Sequence, residues 1–288
     1  MGTRFFAGTE DGNVICFNEQ AKAQWTLRVG KGSITALHTS IRGSILAVTN
    51  EGVLARIADK GDKGALTSRK TSEGRSYVGV LEVGERIIVA TDDGLVSFVD
   101  ADSLEMTDDL DLPAKPITSL ALQGDVFFYA CADGSLHKRS NHDARSPSEN
   151  YAHVEADSEI TNILVRGDYV FAQLSSGAID AFNTDDVRAE PERAFEDALR
   201  MGSEGESNVV AIDGEGAVWR INQALASSQI GRIELEDMIV SPVERDGLIA
   251  TCRVDGHAEV FKASSSLSKV GSLDLKTAVT CLASLTKK

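Results

Sequence analysis

The feature that most constrains this chain is a hairpin signal that returns seven times. Phe5-Phe6-Ala7-Gly8-Thr9-Glu10-Asp11-Gly12-Asn13-Val14-Ile15-Cys16-Phe17 reads as strand, tight turn, strand. Asp-Gly suits such a turn because glycine takes positive φ without steric cost. Equivalent glycines are Gly12, Gly52, Gly94, Gly134, Gly177, Gly216 and Gly256, separated by 40, 42, 40, 43, 39 and 40 residues. Apolar runs such as Ile45-Leu46-Ala47-Val48 and Ile87-Ile88-Val89-Ala90 precede them, and Val14, Leu54, Val96, Leu136, Ile179, Val218 and Ala258 follow two residues later. The runs do not alternate with polar residues, as expected of strands covered on both faces.

One hairpin cannot bury its own faces, whereas a ring of them can. A period near forty with about four short strands per unit predicts an all-β fold, a seven-bladed β-propeller of four-stranded antiparallel blades. About seventeen residues ahead of most glycines lies a further motif: Ile34-Thr35-Ala36-Leu37, Ile117-Thr118-Ser119-Leu120 and Ile160-Thr161-Asn162-Ile163, with looser copies at Tyr77-Val78-Gly79-Val80, Leu199-Arg200-Met201-Gly202 and Ile239-Val240-Ser241-Pro242. These are expected to be the innermost strands. The first hairpin has no such strand before it, and the last copy, Val279-Thr280-Cys281-Leu282, has no hairpin after it. Each end supplies what the other lacks. The expectation is a single domain spanning 1–288, its ring closed where 278–285 pairs with 4–9, so that one blade is composed of about 278–285 plus 4–30.

The outermost strands are the least patterned: 24–27, 65–68, Leu104-Glu105-Met106, 150–153, 230–233 and 270–273. Pro191 to Arg200 has a helical look, with proline near a helix start, but its repeat spans 39 residues. That leaves room for strand or a single helical turn. Ser146-Pro147, 185–190 and 263–268 read as polar loops.

Net charge is −15, from 29 Lys plus Arg against 44 Asp plus Glu. Such a surface repels phosphate backbones, so no nucleic-acid partner is expected. No apolar run approaches a bilayer span, and the Met1-Gly2-Thr3-Arg4 start lacks the apolar segment of a secretory leader; Phe6 stands where a myristoylation signal needs Ser or Thr. No membrane association is expected. Cys16, Cys131, Cys252 and Cys281 are far apart, the pattern of buried, reduced thiols in a cytoplasmic protein, or a nuclear one in a eukaryote. Neither the cysteines nor His137, His142 and His153 have ligand spacing, so neither metal nor cofactor is expected.

The candidate partner-binding residues sit at the hairpin tips. They are Glu10, Asp11, Glu51, Asp92, Asp93, Asp133, Glu215 and Asp255, beside Asn50, with only Ser175-Ser176 uncharged. Asp and Asn favour tight turns for local reasons, which do not account for Glu10, Glu51 or Glu215. If all tips emerge at one end of the ring they form an acidic crown, which attracts a basic partner and speeds its encounter. Asp108-Asp109-Leu110-Asp111 lacks the spacing of a calcium loop and reads as a solvated surface turn.

The succession of hydrophobic residues, a small residue, Thr or Ser, an acidic residue, Asp-Gly and a second apolar strand resembles the blades of WD40 and quinoprotein-like propellers, and Trp25 resembles the outer-strand tryptophan of the latter. The Trp-Asp pair of typical WD40 repeats is absent, since Thr26 follows Trp25 and Arg220 follows Trp219. The resemblance implies a rigid, non-enzymatic platform: a protein-interaction scaffold or subunit of an intracellular complex, itself a monomeric propeller. A second reading is an escort for a basic protein through the acidic crown. A third is a propeller enzyme. Against it, the adjacent cysteine pair and leader usual in quinoprotein dehydrogenases are missing, and the inner strands offer chiefly Ile, Thr, Ala, Ser and Leu rather than the carboxylates and histidines of propeller hydrolases.

Overall fold

The computed structural model describes residues 2–40, 42–111, 115–140, 149–154, 158–186, 190–204 and 208–286. Among them are twenty-eight strands and no helix. The chain opens with β1 (Thr3–Thr9), β2 (Asn13–Asn18) and β3 (Ala23–Arg28). The first blade follows as β4 (Ile34–Thr39), β5 (Ser44–Thr49), β6 (Val53–Asp59) and β7 (Gly64–Thr71); the second as β8 (Tyr77–Val83), β9 (Arg86–Thr91), β10 (Leu95–Asp100) and β11 (Met106–Asp111). The third has β12 (Ile117–Gln123), β13 (Val126–Cys131), β14 (Ser135–Ser140) and β15 (Glu149–His153), and the fourth β16 (Ile160–Arg166), β17 (Tyr169–Leu174), β18 (Ile179–Asn183) and β19 (Glu192–Phe195). The fifth has β20 (Ala198–Glu204), β21 (Asn208–Asp213), β22 (Ala217–Ile221) and β23 (Ser227–Arg232), and the sixth β24 (Val243–Arg245), β25 (Leu248–Cys252), β26 (His257–Ala263) and β27 (Leu267–Asp274). Last comes β28 (Val279–Thr286).

Each blade is an antiparallel meander, and the leftover strands combine in the order β28-β1-β2-β3. β28 pairs with β1 from Thr3↔Thr286 to Thr9↔Val279, so the innermost strand of the closing blade comes from the C-terminal end of the chain. The core lies between blades. Phe6, Cys16 and Trp25 from the closing blade pack with Ile34, Ile45, Ala47 and Ile57 of the first, and similar clusters join the other neighbours. Second strands such as β5 are buried along their whole length because a blade covers each face. Burying a large aliphatic or aromatic side chain contributes about 1.5–3 kcal/mol, so the inter-blade layers carry most of the fold.

Around the central channel, inner-strand side chains hold neighbouring blades together by hydrogen bonds. The hydroxyl of Thr280 donates to Ile34 O, that of Thr35 to Tyr77 O at 2.6 Å, and that of Thr118 to Ile160 O at 2.6 Å. Between the fourth and fifth blades buried Gln173 takes this role, donating to Ala198 O and Leu199 O and accepting from Met201 N at 3.0 Å. The Ile-Thr pattern is thus a latch between blades.

Three expectations are corrected. The sixth innermost strand begins at Val243 rather than at Ile239, which makes only an isolated bridge to Arg253; Pro242 has no N–H to extend the ladder. The outermost strand expected at 104–106 runs from Met106 to Asp111, after a turn in which Leu104 has φ of 57°. Asp108–Asp111 is therefore strand, with Asp109 accepting from Ser97 Oγ at 2.6 Å and from Arg75 at 2.9 Å. Residues 192–195 and 198–204 are both strand, the first of the two alternatives left open there. Ser146-Pro147, His142 and residues 187–189 of the 185–190 loop lie outside the described residues.

Candidate functional site

The seven tight turns join the second and third strands of each blade. The amide that opens the turn donates to the residue just before an innermost strand, as Glu10 N to Ala278 O at 3.0 Å, Asn50 N to Ser33 O at 3.1 Å and Asp92 N to Ser76 O at 3.1 Å. The turn glycine accepts from the residue that follows the outermost strand, as Gly12 O from Val29 N at 2.9 Å and Gly216 O from Ile233 N at 2.8 Å. Tips and inter-blade connections are thereby tied together, and because the innermost strands line one channel side by side, all tips emerge at one end of the ring. Gly12 has φ of 82°, and a Cβ there would stand 2.6 Å from Gly30 O, so the position needs glycine for both its turn and its packing.

The carboxylates at this end differ in what they face. Asp133 is half-buried, and burial would raise its pKa, but the Lys115 ammonium and the Ser135 hydroxyl and amide together hold it well below the usual carboxylate range. Glu215 pairs with Arg232 at 3.1 Å, and Asp255 pairs with Arg253 at 2.9 Å, which also reaches Glu236. These three charges are largely answered within the molecule. Glu10, Asp11, Glu51, Asp92 and Asp93 are exposed and form no ion pair among the described residues. Asp11 accepts from the Thr9 hydroxyl at 2.5 Å and from Asn13 at 2.8 Å; the Thr9 bond lowers its pKa most. Asp93 accepts from Thr91 at 2.5 Å. Both carboxylates are therefore positioned by their turns.

The acidic crown expected from the sequence is thus an arc. Its five carboxylates without an ion pair among the described residues lie on the closing, first and second blades, which are consecutive in the ring, while the fourth blade presents exposed Ser175 and Ser176. The pairing cations, Lys115 and Arg232, went unrecognised because each lies 17 or 18 residues from its carboxylate. Arg253 stands two residues from Asp255 and could have been read from that spacing.

The channel encloses about 600 Å³. Leu37, Leu120 and Leu164 line it, with His38, Arg166 and Arg245 on the inner-strand ends away from the tips. Among the described residues no three His, Cys, Asp or Glu side chains gather as a metal site would require.

No protein-family model and no curated protein sequence matches the chain. Solved structures do. Apo AztD from Citrobacter koseri superposes with a TM-score of 0.69 at 14% identity, covering 99% of this chain and 98% of its own. The β-propeller domain of Myceliophteria thermophila Cps50 (Swd1) gives 0.69 at 14% identity over 87% of this chain and 89% of its own. A chain of the mitotic checkpoint complex gives 0.70 at 13% identity over 86% and 79%. At such identities the likeness establishes architecture. With its repeated four-stranded blades and the β28–β1 closure, this chain has the fold of the WD40-like and quinoprotein-like β-propellers.

Proposed function

We propose that this propeller is a non-enzymatic, intracellular interaction scaffold that binds a basic protein segment across the end of the ring where the tips emerge. The observation that carries the reading is the arc of five exposed carboxylates, Glu10, Asp11, Glu51, Asp92 and Asp93, on three consecutive blades, none of them in an ion pair among the described residues. Turn preference explains an Asp beside glycine; it does not explain why other tips carry neutralising partners and these do not. Close-set like charges on a rigid frame raise the local concentration of a cationic partner and steer its approach. That one solved neighbour belongs to the mitotic checkpoint complex supports a place within an assembly, and the four free thiols in separate strands support a reducing compartment. Escort of a basic protein is the version of this reading in which the partner is released elsewhere, and it uses the same surface.

The test is affinity purification from the native host at low and high salt, with the five residues changed together to Gln or Asn, substitutions that keep the turn hydrogen bonds. Basic partners lost at high salt and lost from the variant are expected. Partners that withstand both changes would place binding elsewhere on the molecule.

A further inference from the structure

Across the ring from the acidic arc, Arg200 is a half-buried cation without a counter-ion among the described residues. It lies on β20 of the fifth blade, one residue before fully buried Met201. Its Nε donates to Ile239 O at 2.8 Å, and its Nη1 to Leu199 O at 2.8 Å. Those two carbonyls fix the guanidinium plane between β20 and the segment leading to β24. Its Nη2 makes no hydrogen bond and no carboxylate approaches it among the described residues. Arg42, Arg193 and Arg253 behave differently: hydrogen-bonded carboxylates raise their pKa values, whereas burial alone acts on Arg200 and lowers its own.

The location is at the tip end. Ala198 N, two residues earlier, donates to Gly177 O at 2.7 Å, next to the one uncharged tip, Ser175-Ser176. Asn162 reaches into the same region, donating to Met201 O at 3.2 Å and contacting Ser241 Oγ at 3.5 Å. A guanidinium held in place with a donor to spare, in a chain with an excess of fifteen acids, is arranged for an anion from outside. Planar donors match a carboxylate best.

We propose that Arg200 receives the C-terminal carboxylate of the basic segment whose cationic side chains lie along Glu10, Asp11, Glu51, Asp92 and Asp93. This rests on the function proposed above and adds polarity to it: the segment ends at the fifth blade. A segment basic enough to suit the arc has few acidic side chains, so the anion it can bring to Arg200 is the carboxylate at its chain end.

The probe is an eight-residue peptide of alternating glycine and lysine, prepared as the free acid and as the C-terminal amide, titrated by fluorescence anisotropy at low salt. The unaltered protein is expected to bind the acid about tenfold more tightly than the amide, the worth of one charge-assisted hydrogen-bonded pair. Arg200→Gln is expected to erase that preference, and Arg200→Lys to retain part of it. Neutralising the five arc carboxylates should weaken both peptides alike. Equal affinity of the unaltered protein for acid and amide overturns the assignment of Arg200 and leaves the arc standing; this comparison needs no variant that might misfold. Binding of neither peptide overturns both.

Discussion

Two buried charges at the junction of the first and second blades show how much a single residue can govern. Glu82 is fully enclosed and accepts from Arg56 at 2.8 Å and from Ser40; Arg56 also donates to Ser44 at 2.9 Å and to Ala101 O at 2.9 Å. Buried charges persist only when paired and hydrogen-bonded in this way. Beside them His38 lines the channel, and burial pushes its imidazole down to about 4, with Glu82 acting weakly in the other direction. The sign follows from linkage: in the unfolded chain the imidazole takes a proton near its ordinary value of about 6.5, in the folded chain only near 4. Between those values the unfolded state binds more protons, so stability falls as the pH falls. Since His38 is partly wetted from the channel, its share is on the order of 1 kcal/mol. Chemical denaturation at pH 7 and pH 4.5 is expected to show His38→Gln losing less stability on acidification than the unaltered protein, and equal losses would remove His38 from the account. None of this was legible in the sequence, where His38 and Glu82 stand 44 residues apart and only the folded ring brings them together.

Strands and turns were the legible level, because each blade solves the same local problem with the same residue types. The turn glycines and the Ile-Thr innermost strands follow from that repetition. A further repeat is visible once the fold is known: Asn18, Asp59, Asp100 and Asn183 end third strands and Asn222 directly follows one, and each side-chain oxygen accepts from backbone amides two to four residues on. These are Asx turns, and they set where each outermost strand can begin; Asp100 holds the turn that moves β11 past Leu104. Sequence reading fails where two blades depart from the pattern together. β20 and β24 approach closely enough to form a parallel bridge, Ser203↔Val243, and a Cβ on Gly202 would overlap the Pro242 carbonyl oxygen. Backbone cannot yield as a flexible side chain can. Gly202→Ala is expected to cost about 3 kcal/mol, read as a lowered denaturation midpoint, while Gly74→Ala, with positive φ but nothing within 4 Å of its Cβ, costs about 1 kcal/mol from backbone strain alone. Similar losses at both positions would mean that the two blades do not meet as closely as they do here.

For the whole molecule the decisive joint is the one between the chain's ends. A ring of blades held only by side-chain packing could open between any two of them; sharing a sheet across the ends replaces one such joint with seven paired positions between β1 and β28. β28 also ties the neighbouring blades. The Thr280 hydroxyl donates to Ile34 O in the first blade, Thr39 returns a bond of 2.6 Å to Ser284 O, and Ser284 Oγ reaches Glu244 O of the sixth at 3.4 Å. Leu282 and Val279 meanwhile complete an apolar cluster with Phe5, Phe17, Ala250 and Val260. Removing residues 279–288 therefore strips one strand but unseats three blades, and it exposes β1, which is buried at six of its seven positions, as an open edge. The truncated chain is expected to melt far below the full chain and over a broader range, since the unit that unfolds together is the closed ring. A synthetic peptide of residues 278–288 added in excess should raise the melting temperature in proportion to the logarithm of its concentration, as any ligand of the folded state does. If the truncated chain instead melts like the full one, and the added peptide changes nothing, packing between blades suffices to close the ring, and the rigid frame that sets the acidic arc opposite Arg200 does not depend on its last strand.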